Sequence, residues 1–321
     1  MQENRKNIWL IGTGLMGQEY AKVLTSLGSD VKVIGRGEEN CSLFTEKTGV
    51  QALPGGLAAH LQRGPEVPEY AIVAVGIEAL TETVLMLIRY GVKYILLEKP
   101  GVGYPHEIDE ISEAADAYNA HILIAYNRRF YASVMRAREL IREDGGVRSM
   151  HFEFTEWSHV IRDLKKHKAE HENWFLGNST HVIDTAFHLG GKPTEMCSFV
   201  KGGMDWHPSS SVFSGAGITE VGALFSYHAN WEGPGRWTID IITAKHRFIF
   251  KPMESLQLQK IGSVAVEPVA IDDSLDKEFK PGLYLQTKAF LDHDFSVMVT
   301  LAEQKRMIGE YYMKMSGYSR P

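Results

Sequence analysis

The chain has 321 residues, of which 44% are apolar and 23% charged, with a net charge of −6. That length suits two domains with real cores, and the balance is that of a globular protein, not a disordered one. A mild acidic charge without a basic stripe excludes a nucleic-acid partner, two cysteines exclude a disulfide framework, and no stretch nears the roughly 20 apolar residues of a membrane span.

Residues 7–126 alternate short apolar runs with segments of helical period. Asn7–Ile11 is the first run, ending at Gly12; Leu15–Leu27 carries its apolar residues on one helical face and stops at Gly28. Val31–Ile34, Ala71–Val75, Tyr94–Leu97 and Ile122–Ala125 repeat the strand signal, with helices over Glu78–Tyr90 and His106–Tyr118. Strands apolar on both faces, alternating with helices, predict a doubly wound parallel sheet of Rossmann type. Such a sheet binds ligands at the carboxyl ends of its strands.

Gly12-Thr13-Gly14-Leu15-Met16-Gly17 stands at the first strand-to-helix turn. Gly12 permits the tight turn, Gly14 lets the backbone approach a pyrophosphate, and Gly17 lets helix and sheet pack closely. A glycine-rich turn without a ligand is the plainer alternative. The second strand ends Ile34-Gly35-Arg36-Gly37, with Arg36 where an acid would hold an NAD ribose, which favours NADP. The alternative is a solvated Arg36, with Glu38 or Glu39 serving NAD. Glu98-Lys99-Pro100 follows a strand directly, so Lys99 is expected in the cofactor crevice, able to bond a substrate hydroxyl and relay its proton; otherwise it is a surface lysine.

These motifs, followed by Tyr126-Asn127-Arg128-Arg129-Phe130 and His181-Val182-Ile183-Asp184, occur in the order seen in the glucose–fructose oxidoreductase, inositol dehydrogenase and rhizopine-catabolism (Gfo/Idh/MocA) family, which the chain resembles over nearly its whole length. The resemblance implies a Rossmann domain, set at residues 1–125, and an α+β substrate and oligomerisation domain with a large, open, mostly antiparallel sheet, set at 126–321. It also implies that Lys99 and Glu98 lie at the cofactor and that Lys99 works with His181 near the nicotinamide.

His181, Asp184 and His188 share one helical face by spacing. An imidazole there could exchange the substrate hydroxyl proton, with Asp184 and His188 supporting it. A metal is the lesser reading of that face, and none is expected. The family's aspartate four residues before this histidine is absent: the string is Gly177-Asn178-Ser179-Thr180-His181, so Asn178 becomes the candidate substrate contact. Arg128 and Arg129 could bind an acidic substrate group or make an interdomain salt bridge. Trp174 could stack on a sugar or fill core.

Beyond a helix at Tyr131–Arg142, β signals dominate: Met150–Glu156, Met196–Val200, Val221–Tyr227, Trp237–Ile242 and Phe248–Phe250. His207–Gly217, rich in serine and glycine, reads as a mobile loop, and Phe295–Met313 as the last helix. The open sheet suggests a homodimer or homotetramer. The polar start, Met1–Asn7, and the distant Cys41 and Cys197 make the cytoplasm the expected location. Taken together, the chain reads as an NAD(P)-dependent oxidoreductase of a sugar, cyclitol or sugar nucleotide. Redox-assisted elimination or epimerisation with a retained cofactor, and a non-catalytic dinucleotide-binding regulator, are the alternatives.

Overall fold

The computed structural model describes residues 6–207 and 209–318, so the start of the chain, 1–5, lies outside the described residues. Two compact units divide the chain: Met1–Asn127 with Glu278–Arg306, and Arg128–Lys277 with Met307–Pro321. A second domain running unbroken from residue 126 does not anticipate this return.

The first unit is a parallel sheet. Its strands are β1 (Asn7–Ile11), β2 (Asp30–Ile34), β3 (Ala52–Leu53), β4 (Tyr70–Val73), β5 (Tyr94–Glu98) and β6 (His121–Ala125), separated by helices α1 (Leu15–Ser26), α2 (Glu38–Thr48), α3 (Gly56–Leu61), α4 (Leu80–Tyr90) and α5 (Ile108–Tyr118). The order β6-β5-β4-β1-β2-β3 is that of a Rossmann sheet. Ile8, Trp9 and Leu10 on β1, and Ala71, Ile72 and Val73 on β4, have no exposed surface, because both sheet faces are covered.

The second unit is α+β. It holds α6 (Ala132–Glu143), β7 (Ser149–Glu153), α7 (Ser158–Ile161), α8 (Lys168–Glu172), α9 (Thr180–Gly190) and strands β8 (Pro193–Lys201), β9 (Val212–Thr219), β10 (Leu224–Asn230), β11 (Thr238–Ile242), β12 (His246–Phe250), β13 (Gln257–Lys260) and β14 (Val266–Pro268). The eight strands run β14-β13-β12-β11-β7-β10-β9-β8, antiparallel except for the parallel pair β10–β7. Alternation on β7 turns Met150 and Phe152 inward, with Phe154 buried just beyond the strand. Phe152 meets Phe187 of α9 edge to face at 5.4 Å and stacks on Tyr227 at 5.6 Å, so aromatic contacts fix α9 on the sheet.

The expected loop at 207–217 is largely strand: β9 begins at Val212. Its glycines make room for neighbours, since a Cβ on Gly215 would collide with the Tyr227 ring and one on Gly217 with Phe225. After α10 (Ser274–Glu278) and α11 (Leu283–Leu291), the chain forms β15 (Val299–Thr300) before α12 (Leu301–Met307) and, after a π turn over Ile308–Tyr312, α13 (Met313–Ser316). The helix expected from Phe295 therefore starts six residues later: buried Val299 pairs antiparallel with Ile124 at the edge of the first sheet.

Candidate active site

In the first unit the three glycines divide their work. Gly12 sits at φ +119°, and a Cβ there would stand against the carbonyl of Ala74, the residue after β4; one on Gly17 would strike the Gly12 carbonyl. Gly14 differs, with no atom within 4 Å of the position a Cβ would take. It is the N-cap of α1, and no side chain caps that helix. Without a side-chain cap, the first-turn N–H groups, those of Leu15 and Met16 included, and the positive end of the helix dipole are left to a pyrophosphate approaching at Gly14.

That space is a cleft of about 450 Å³, lined by Gly12, Thr13 and Gly14, by Arg36 after β2, and by Gly55 and Gly76 among others. Gly55 donates its N–H to the Arg36 carbonyl at 3.1 Å, and Gly56 to that of Gly35 at 2.8 Å. This Gly55-Gly56 wall was missed in the sequence, although Pro54-Gly55-Gly56 is a turn signal. Arg36 is mostly exposed and 3.8 Å from Glu78, leaving its guanidinium available to an anion.

Lys99 follows the last residue of β5 at the same carboxyl edge of the sheet, and its bond to Pro100 is cis. The Pro100 carbonyl accepts from Gln304 Nε2 at 2.8 Å, which anchors the loop. Glu98, expected at the cofactor, turns to α1 instead: Tyr20 donates to it at 2.8 Å. Burial pushes the Glu98 carboxyl up, opposed by the Lys99 charge and the Tyr20 hydrogen bond.

In the second unit a π turn, Phe175–Ser179, leads straight into α9. Such turns are rare and concentrate at functional positions. His181, the second residue of α9, is 8% exposed, with its ring centroid 6.3 Å from that of Trp237. Gly177 brings no carboxylate to the turn. Glu156 does, from just beyond β7: Asn178 Nδ2 donates to both its oxygens at 2.9 and 3.1 Å, Ser179 Oγ donates at 2.9 Å, and Arg236 Nη1 lies 3.6 Å away.

Arg236 lies over the Trp157 and Trp237 rings at 4.8 and 4.9 Å. Arg128 lies over Trp237 at 4.6 Å and donates to Tyr131 Oη at 3.0 Å. Glu156, Arg236 and Trp237 escaped the sequence reading because no local spacing ties residue 156 to 178 or 236. Two other candidates are engaged elsewhere. Arg129 and Asp184 bond each other bidentately in the interior, and Trp174 meets Trp206 edge to face at 6.2 Å. Burial drives His188 down to about 3, helped by the charge of Arg129, so it is a neutral packed side chain. Among the described residues, no group of three His, Cys, Asp or Glu is placed to hold a metal.

Residues 6–126 match a family model, Gfo/Idh/MocA, described as an oxidoreductase family with an NAD-binding Rossmann fold. The match takes in all six parallel strands of the first unit and both the Gly12–Gly17 turn and Lys99. Among curated proteins, none matches the chain in sequence. Solved structures give the fold of the whole chain. Levoglucosan dehydrogenase in complex with NADH superposes with a TM-score of 0.78 at 15% identity, covering 97% of this chain and 96% of that one. A putative NADPH-dependent oxidoreductase from Desulfitobacterium hafniense gives 0.77 at 16%, covering 95% and 93%. UDP-N-acetylglucosamine 3-dehydrogenase from Acidithiobacillus ferrooxidans gives 0.73 at 14%, covering 98% and 97%.

Proposed function

We propose that this chain is an NAD(P)-dependent dehydrogenase or reductase of a sugar, cyclitol or sugar nucleotide, acting between a hydroxyl and a keto carbon. The carrying observation is the open cradle at Gly14, uncapped at α1 and lined by Gly12 and Thr13. The dinucleotide, when bound, supplies or accepts the hydride. The chain's own task is to orient the substrate and move its hydroxyl proton. We assign that proton to Lys99 and His181, an ammonium after β5 and an imidazole at the start of α9, with Asn178 and Arg128 as substrate contacts. The names of two similar structures, levoglucosan dehydrogenase and UDP-N-acetylglucosamine 3-dehydrogenase, support a sugar-like substrate.

NADP is favoured over NAD, because Arg36 offers a cation at the end of β2 where NAD binders place an acid. Exposed Phe199 and Leu224, 70% and 60% accessible on the second sheet, support self-association into a homodimer or homotetramer. Two free cysteines, Cys41 and Cys197, support a cytoplasmic location. Among the described residues no helix is long and apolar enough to cross a membrane.

The test is calorimetric titration with NADPH and NADH, followed by initial rates on a panel of polyols and keto-sugars. Binding of a dinucleotide, with turnover that falls at least 100-fold in Lys99→Ala and in His181→Ala, is the expected result. Absence of binding by either dinucleotide sinks the proposal, and full turnover in both variants removes the proton assignments.

A further inference from the structure

Glu156 is a fully buried carboxylate at the His181 end of the second unit, and no step above uses it. It is 1% exposed, and the groups around it are donors: Asn178, Ser179, Trp237 and Arg236. An ionised carboxylate only accepts, and it satisfies all of them. A carboxylic acid would aim an O–H at an amide nitrogen or a guanidinium, neither of which can accept. Only the Ser179 hydroxyl could, by reversing its own bond. The two shortest-range donors both lie on the π turn, whose last residue immediately precedes α9, and His181 is two positions beyond Ser179.

We propose that Glu156 is the positioning residue of the His181 helix: its carboxylate clamps Asn178 and Ser179 and fixes the imidazole, and protonation releases the clamp. The importance of that imidazole rests on the function proposed above; the clamp itself does not. Burial pushes the Glu156 carboxyl up to about 7, opposed by the Ser179 hydrogen bond, the Arg236 charge and the Asn178 hydrogen bond. The charged groups that face this cluster are half-exposed Arg236 and, further off, Arg128, whose guanidinium also feels Glu254. Both cations favour the ionised form, and burial opposes it. The clamp therefore closes as pH rises through neutrality and opens below it.

Nuclear magnetic resonance on the full chain tests this without a cofactor. The Glu156 carboxyl carbon is assigned by its loss in Glu156→Gln, and the His181 ring nitrogens by their loss in His181→Asn. Between pH 5.5 and 8.5 the carboxyl carbon is expected to titrate near 7, as its burial implies, with the His181 ring signal inflecting at the same midpoint. In Glu156→Gln that inflection disappears. A second variant, Asn178→Ala, displaces the His181 signal similarly, and combining the two adds no further displacement. A His181 signal that titrates identically in wild type and Glu156→Gln overturns the proposal. Should Glu156→Gln fail to fold, an unmoved His181 signal in Asn178→Ala overturns it equally. If the wild type turns over no polyol, these signals still decide the clamp, so the two failures are distinguishable. Where turnover is found, the kcat/KM profile is expected to lose its limb near neutrality in Glu156→Gln.

Discussion

Arg129 and Asp184 form a two-bonded ion pair inside the second unit, Nε to Oδ2 at 2.9 Å and Nη2 to Oδ1 at 2.6 Å, with side chains 7% and 1% exposed. It joins the turn before α6 to the middle of α9, the helix that carries His181. Removing one partner strands the other as a buried charge, which costs about 3–5 kcal/mol. Asp184→Ala is therefore expected to lower the urea midpoint sharply. The double change Arg129→Met with Asp184→Leu should recover most of that loss, because it removes both charges and refills the volume. Denaturant titration of the three variants checks it; a double variant as unstable as the single one would contradict a desolvation origin.

The glycines of the first turn separate folding from binding. Gly12→Ala and Gly17→Ala each drive a methyl into backbone, against Ala74 and Gly12 respectively, and should lower the melting temperature by several degrees. Gly14→Ala meets nothing within 4 Å and has an ordinary φ of −73°, so the fold should be unchanged. Its methyl would stand in the phosphate cradle, and dinucleotide affinity is expected to fall at least tenfold. Thermal melts paired with calorimetric titration read both effects; unchanged affinity in Gly14→Ala would remove the cradle.

What the sequence revealed followed its periodicities. The strands of the Rossmann sheet and the turn at Gly12 were legible because both faces of the strands are buried and the helices keep one apolar face. Period says less where a neighbour decides the residue. Gly215 and Gly217 look like a loop in sequence, yet they lie in β9 because Tyr227 and Phe225 occupy the space above them. Phe295–Thr300 runs into the helical period of the last segment, but its β-branched Val297, Val299 and Thr300 suit a strand, and the edge of β6 pairs Val299. Arg129 and Asp184 were both visible as candidates, and only the fold shows that they answer each other. Glu156 was invisible for the same reason: its partners at 178, 179 and 236 are neighbours in space alone.

The proposed preference for NADP rests on Arg36. Its guanidinium is weakly paired with Glu78 at 3.8 Å, and an exposed pair of that length is worth at most about 1 kcal/mol. A 2′-phosphate would gain charge-assisted hydrogen bonds of roughly 1.5–3 kcal/mol from the same group. Arg36→Ala should thus weaken NADPH about 10- to 100-fold and leave NADH within a factor of about 2. Glu78→Gln should tighten NADPH slightly by freeing the arginine. Equal losses for both dinucleotides in Arg36→Ala would assign Arg36 to the shared pyrophosphate.

Two buried groups in the second unit give pH dependences of opposite sign. The Glu156 carboxyl rises from an ordinary 4.5 to about 7, so between those values the folded state holds a proton that the unfolded chain has lost. Stability from this group is therefore present at low pH and is lost as pH climbs from about 4.5 through about 7, by about 1.4 kcal/mol per pH unit at most. His188 falls from 6.5 to about 3, so below 6.5 the unfolded chain binds a proton that the folded one refuses. Its contribution is lost as pH falls, with the same limiting slope. Near pH 5.5 the two largely cancel in the wild type. Glu156→Gln should consequently gain stability relative to wild type as pH is raised from 5 to 7, whereas His188→Leu should gain it as pH is lowered from 6.5 to 4. Urea midpoints of the three proteins across pH 4 to 8 test this, and curves that stay parallel throughout would mean that neither group titrates differently on folding.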